Sequence, residues 1–168
     1  PNLRTMPYWE GLEPVAPRHE QGQTFDIDPR WTRCDQALTF LNTALPYFKR
    51  MHDMYPDHVH EEIQLLAVSG STQLCETMAI VPEWRDWYLS TDQTPFYEDT
   101  RTILKVMQWQ RDPGAGVRPP GQPQRWVLKS PQHLECYQAL MNVFPDATFV
   151  IPHRDPVSVT ASFCTMGT

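Results

Sequence analysis

Long apolar runs are missing from this 168-residue chain. No stretch reaches the roughly 20 apolar residues that span a bilayer, and no charged-then-apolar leader opens it, so a soluble, cytoplasmic protein with no membrane span is expected. A basic excess is missing too: 14 Lys and Arg stand against 20 Asp and Glu, a formal charge of -6, which excludes a general nucleic-acid binder and leaves room only for a local basic pocket. Cysteine is sparse. Cys34, Cys75, Cys136 and Cys164 lie far apart with no CxxC pair, which excludes a disulfide framework and a cysteine zinc site and reads as core thiols in a reducing compartment. GxSxG is absent, and no Cys/His or Ser/His/Asp hydrolase signature replaces it. Glycine is also scarce where phosphate loops need it. Gly114 and Gly116 stand in a Pro-rich stretch with no helix behind them, so they cannot form a phosphate-cradling loop. His58-Val59-His60 with Glu61 and Glu62 has the look of a metal cluster, but no further ligand stands at a telling spacing; a helix-capping role is expected, and no metal.

What is present suits one globular domain, with 40% hydrophobic and 20% charged residues. Residues 1 to 28 are rich in Pro and polar residues and read as an irregular segment anchored by Trp9, Leu12 and Val15. Asp28-Pro29 then reads as an N-cap followed by Pro at the first helical position, and Trp31, Cys34, Leu38, Leu41 and Leu45 follow at helical spacing until Pro46. Further helical stretches are expected from about His60 through Leu66, Gln73 to Ile80, Glu83 to Leu89 and Pro95 to Gln110, making 29–111 a helical block. Trp84, Trp87, Tyr88 and Trp109 form its aromatic group, read as core or as the wall of an acceptor pocket. Asp112 to Gln124, with three Gly and four Pro, is a loop and a plausible boundary.

After that loop the rhythm changes. RWVLK at 125–129 reads as a strand, Ser130-Pro131 as the start of a helix with Leu134, Tyr137, Leu140 or Met141 and Phe144 inward, TFVIP at 148–152 as a second strand, and Asp155-Pro156 as the start of a second helix. This βαβα unit, residues 125–168, implies parallel strands with ligands at their carboxyl ends, where Lys129 and His153-Arg154 fall. Arg154 sits just before a helix N-terminus, a setting matched to phosphate; Ser158 and Ser162, four apart, can face one side of that helix. Equally, Arg154 could pair with a neighbouring carboxylate while the serines cap or face solvent. Lys129 could supply fixed positive charge to a developing oxyanion and His133 could accept or relay a proton, or the first could snorkel to solvent and the second merely pack.

Residues 125 to 163, RWVLKSPQHLECYQALMNVFPDATFVIPHRDPVSVTASF, resemble the core of the bacterial-type sulfotransferase family, which runs LKxPxH, a helix, FPDA, a strand and then HRDP with a following Ser. HRDPVSVTAS resembles that family's 3'-phosphate motif, and Arg154 and Ser162 meet its spacing. PNLRTMPYWE and TPFYEDTRTILKVMQWQ resemble it more loosely. The resemblance implies an α/β, P-loop-like parallel sheet related to nucleotide kinases, beside a large helical block. It also implies transfer of a sulfuryl group from 3'-phosphoadenosine 5'-phosphosulfate (PAPS) to a hydroxyl- or amine-bearing acceptor, usually a small molecule. Relatives remove the acceptor proton with a carboxylate or a His; Glu10 lies near the Glu base of the protein-tyrosine enzymes, and Lys129 and His133 lie near the Lys and His of the cytosolic enzymes. Glu10 is the favoured base, with His133 steadying the acceptor or the transferring group. The family's glycine-rich 5'-phosphosulfate loop precedes the segment where this chain begins, so the 168 residues read as a fragment that does not turn over alone. A non-catalytic nucleotide- or partner-binding module of the same fold is the alternative; a P-loop kinase would need GxxxxGK[ST] and magnesium.

Overall fold

A computed structural model describes residues 3–111 and 125–166. The expected Pro/Gly loop at 112–124 lies outside them. Helix α2 (Pro29–Ala44) starts where Asp28 accepts a hydrogen bond from the Arg30 backbone N–H at 2.9 Å, with Pro29 at its first position. Its end falls before Pro46, whose ring cannot continue a helix. After the short α3 (Phe48–Met51) comes α4 (Ile63–Val68), followed by Ser69 and Gly70. Gly70, at φ 76°, lets its own N–H reach Ala67 O at 3.1 Å and the Ser71 N–H reach Leu66 O at 3.2 Å. That paired closure satisfies two helix-end carbonyls and fixes the exit of the chain. Helices α5 (Leu74–Met78), α6 (Pro82–Ser90) and α7 (Thr94–Arg111) complete the helical block.

The irregular reading of residues 1–28 needs correction, because strand β1 (Leu3–Arg4) and helix α1 (Tyr8–Leu12) lie inside it. Between them, Pro7 bridges Val59 in antiparallel fashion, with Tyr8 N–H on His58 O at 2.9 Å and His60 N–H on Met6 O at 3.0 Å. Long-range pairing of this kind leaves no periodic signal in so short a segment. β1 also pairs in parallel with β2 (Arg125–Trp126), Leu3 opposite Arg125 and Arg4 opposite Trp126, and Val127 N–H extends the ladder to Arg4 O at 2.7 Å. The partner of β2 is therefore β1, and only two of the five residues 125–129 are strand.

Ser130 caps a 3₁₀ helix, Pro131–Glu135, which leads into α8 (Tyr137–Val143). The expected continuous helix is broken there, and Leu134 is 61% exposed while Cys136, Ala139, Leu140 and Val143 turn inward. The second expected strand, 148–152, has no ladder among the described residues, and Val150 is 85% exposed. A strand exists only by exchanging backbone hydrogen bonds with a neighbour, so an apolar run alone does not make one. Helix α9 (Pro156–Met166) closes the described chain.

Two clusters of buried side chains share α7. Tyr97 joins Leu66, Tyr88, Cys136, Ala139, Leu140 and Val143, while Leu104 and Met107 join Met6 and Leu65. Phe144 packs against both. Trp84 stacks on Tyr88 with ring centroids 5.1 Å apart, whereas Trp109 is 65% exposed and leaves the aromatic group. Truncating Leu66, fully buried, to Ala should destabilise the fold by about 2–5 kcal/mol in chemical denaturation.

Asp28→Ala should cost about 1 kcal/mol for the lost cap. The side-chain hydrogen bond from Arg30 holds the Asp28 carboxyl below its ordinary 3.8. A carboxyl depressed in the folded state stabilises above the unfolded value and loses that contribution as pH falls through the folded one. The gap between wild type and Asp28→Ala should thus be full at neutral pH and shrink below about pH 4 in urea titrations.

Candidate active site

The parallel strands β1 and β2 point their carboxyl ends the same way, and ligands in α/β folds collect at that side. Beyond β1 comes Glu10 on α1; beyond β2 come Lys129 and His133. Glu10 faces the last turn of α7, where Arg111 grips both carboxylate oxygens; Arg111 Nε donates to Oε1 at 3.0 Å and Nη2 contacts Oε2. Arg111 also reaches Thr5 O at 3.2 Å and lies over the Trp126 ring at 5.5 Å, so the two strand ends share one guanidinium. Glu10, Trp9, Arg30, Met107 and Arg111 line a cleft of about 180 Å³, and the Arg30 guanidinium stacks on Trp9 at 4.8 Å.

Lys129 is held twice. Its backbone N–H donates to Glu62 Oε2 at 2.7 Å, and its ammonium pairs with Glu61. Partial burial lowers the Lys129 pKa, yet its side chain is 71% exposed, and an exposed pair of this kind is worth at most about 1 kcal/mol, so an anionic ligand can displace Glu61. His133 stands on the 3₁₀ helix, not on the first turn of an α-helix, and that element carries little dipole. Its Nδ1 meets the Tyr97 hydroxyl at 2.9 Å and its Nε2 contacts Glu62 Oε1. Both ring nitrogens are occupied. Burial drives the Tyr97 hydroxyl well above the ordinary tyrosine pKa, so it remains a proton donor or acceptor rather than a phenolate.

Glu62 is named in the sequence only beside His58 and His60, in a grouping set aside as a metal site, and not as a site residue. The one further signal there is an acidic pair placed directly before the buried run IQLL. Gln132, fully buried, braces the same turn, giving its amide N–H₂ to Ser71 O at 2.8 Å and accepting from Gln73 N–H at 3.0 Å. The thiols of Cys34 and Cys136 are buried, and burial pushes Cys34 up to about 11 and Cys136 upward, so neither is a nucleophile. Cys164 is exposed, contrary to the core reading.

Arg154 stands just before α9, exposed and with no ion-pair partner among the described residues. The nearest carboxylate in sequence, Asp155, is committed elsewhere: it accepts from Ser158 N–H at 2.9 Å and Ser158 Oγ at 2.8 Å, and the Ser158 hydroxyl holds its pKa below the ordinary value. Ser158 therefore serves the cap of α9, and Ser162 presents an exposed hydroxyl two turns along. The expected gathering of Arg154 with Lys129 on one sheet edge is not seen as a ladder, since 148–152 pairs with neither described strand.

His58 and His60 flank Val59 in the bridge to Pro7 and so cap no helix. The His60 ring meets His52 at 5.6 Å, His58 at 5.9 Å and Tyr8 at 4.3 Å between centroids. Among the described residues no group of three side chains is arranged to hold a metal.

Residues 5–168 match the profile of a family described as the sulfotransferase family. The chain belongs to that family. Among solved structures, this sulfotransferase-family chain is similar to the crystal structure of sulfotransferase STF1 from Mycobacterium tuberculosis H37Rv, at 28% identity and a TM-score of 0.70 over 99% of its own length. It spans 42% of the length of that protein. No curated protein matches it. The small parallel sheet beside a large helical block is thus a sulfotransferase α/β fold of the P-loop-like class.

Burial pushes the His60 pKa down to about 4, and His52 and His58 add repulsion. A histidine depressed in the folded state binds fewer protons than the unfolded chain, so stability should fall as pH drops from about 6.5 towards 4. His60→Gln should flatten that slope in denaturation curves across the same window.

Proposed function

We propose that the intact protein transfers a sulfuryl group from 3'-phosphoadenosine 5'-phosphosulfate to a hydroxyl or amine acceptor, and that this chain carries the 3'-phosphate grip. The observation that carries the reading is the open guanidinium of Arg154 at the head of α9, with the one adjacent carboxylate, Asp155, tied to Ser158. A dianionic phosphate there meets a planar cationic fork and the Ser162 hydroxyl, while the N–H groups of the first helical turn are held by Asp155. Ser158, through its bond to Asp155, holds the turn in shape.

In the transfer, the acceptor oxygen or nitrogen bonds to sulfur as the bond from sulfur to the bridging phosphate oxygen breaks, releasing 3'-phosphoadenosine 5'-phosphate. The acceptor proton goes to Glu10, which lines a cleft and must first part from Arg111. Lys129, loosely held by Glu61, supplies charge to the leaving oxygens. His133, with both nitrogens engaged, does not take the proton. Alignment and charge neutralisation account for the rate, and the scheme requires no metal. A soluble, cytoplasmic setting fits a nucleotide donor, and no described helix is long and apolar enough to cross a membrane.

The test is calorimetry with 3'-phosphoadenosine 5'-phosphate on the intact protein. Arg154→Ala should weaken binding by about tenfold or more and Ser162→Ala by less, roughly fivefold. Glu10→Gln should leave this affinity intact and lower kcat by about 100-fold or more. Undiminished affinity in Arg154→Ala overturns the donor assignment; tight binding without turnover in wild type would favour a non-catalytic binding module.

A further inference from the structure

Glu62 is 1% exposed, yet it caps nothing: it stands at the N-cap position of α4 with no side-chain bond to that helix. Its carboxylate is spent on residues about 70 positions away. Oε2 accepts the Lys129 backbone N–H at 2.7 Å, and Oε1, which makes no regular hydrogen bond, lies against His133 Nε2. His133 in turn meets the Tyr97 hydroxyl, itself buried on α7. A buried carboxylate without compensation costs several kcal/mol, so the imidazole and the strand-end N–H are not incidental neighbours. Because Lys129 and His133 hang on opposite oxygens of one rigid group, the spacing between the strand end and the 3₁₀ helix is set by Glu62.

We infer that Glu62 is the positioning residue of the site: it fixes Lys129 through the backbone and His133 through the ring, while touching neither donor nor acceptor. The inference deepens the proposed function and rests on it for the kinetic readout. Glu62→Gln keeps the size and can still accept the Lys129 N–H, but drops the charge facing His133; Glu62→Ala loses both. Outer-shell supports of this kind typically contribute about 10- to 100-fold to activity.

In the intact protein, with p-nitrophenol as acceptor, Glu62→Gln should lower kcat about tenfold and Glu62→Ala about 100-fold. KM for the donor and affinity for 3'-phosphoadenosine 5'-phosphate should stay within about twofold, since that grip lies at Arg154. The double variant Glu62→Gln/His133→Gln should be no slower than its slower parent, because both changes cut one linkage. Equal loss in the Gln and Ala variants, additive effects in the double variant, or a kcat per folded molecule unchanged from wild type would overturn the inference. A readout independent of turnover is the imidazole nitrogen spectrum, with His133 identified by its absence in His133→Gln. In Glu62→Gln both the His133 ring signals and the Lys129 amide signal should move. If wild type transfers nothing to p-nitrophenol, the functional reading fails for that acceptor, and unmoved His133 and Lys129 signals sink the positioning role on their own.

Discussion

A carboxylate that folding takes out of water has to be met by donors, and the placement of Glu62 makes that demand at the point where three distant segments converge. The segment 3–9 pairs with 125–127 on one side and with 56–60 on the other; Glu62 follows the latter run, and Lys129 follows the former. The two strands are only two residues long each, too short to specify their own register. Register is supplied from outside the ladder: by the Glu62 bond to the Lys129 N–H, by the Gln132 clasp on 71–73, and by Arg111 reaching both Thr5 and Glu10. The helical block thus determines where the carboxyl ends of the two strands lie.

The cations of the molecule divide by how they are held. Arg33, Arg85 and Arg111 are each gripped by carboxylates, and Arg30 by Asp28. Lys129 is paired but exposed, and Arg154 has no such partner among the described residues. In a chain of net charge -6 a phosphate gains nothing from the overall field and must be captured by a local group whose charge is not already neutralised. On that criterion alone, Arg154 and then Lys129 stand ahead of every arginine with a carboxylate fork.

Helices were legible where the sequence carried its own punctuation. Asp28-Pro29, Ser130-Pro131 and Asp155-Pro156 each mark a helix start within the described residues. What was not legible depends on partners far away. β1 is two residues in a Pro-rich stretch and exists because β2 lies beside it; 148–152 has the composition of a strand and is none among the described residues, since no ladder reaches it. The same asymmetry holds in the site. Lys129 and Arg154 could be picked by their place at expected strand ends and His133 by its place four residues after Lys129, all local properties. Glu62 could not, because in sequence the acidic pair groups with His58 and His60, and only the fold shows that one member meets Lys129 and the other His133.

Arg154 and the strand-end residues near Lys129 sit on segments with different anchorage, and what joins them is the turn after α8. Arg125 of β2 reaches it, with Nη1 on Asp146 O at 2.9 Å and an ion pair to the Asp146 carboxylate at 3.4 Å; Arg101 of α7 reaches Val143 O at 3.3 Å. From α8, Tyr137 meets Phe149 edge-on at 5.9 Å. Four residues separate Phe149 from Arg154, so the position of the guanidinium is inherited from the end of α8 rather than from strand pairing. In the transfer proposed above, donor and acceptor have to be aligned to within fractions of an ångström, so this α8 turn bears on that proposal although none of its residues is placed against a reacting atom.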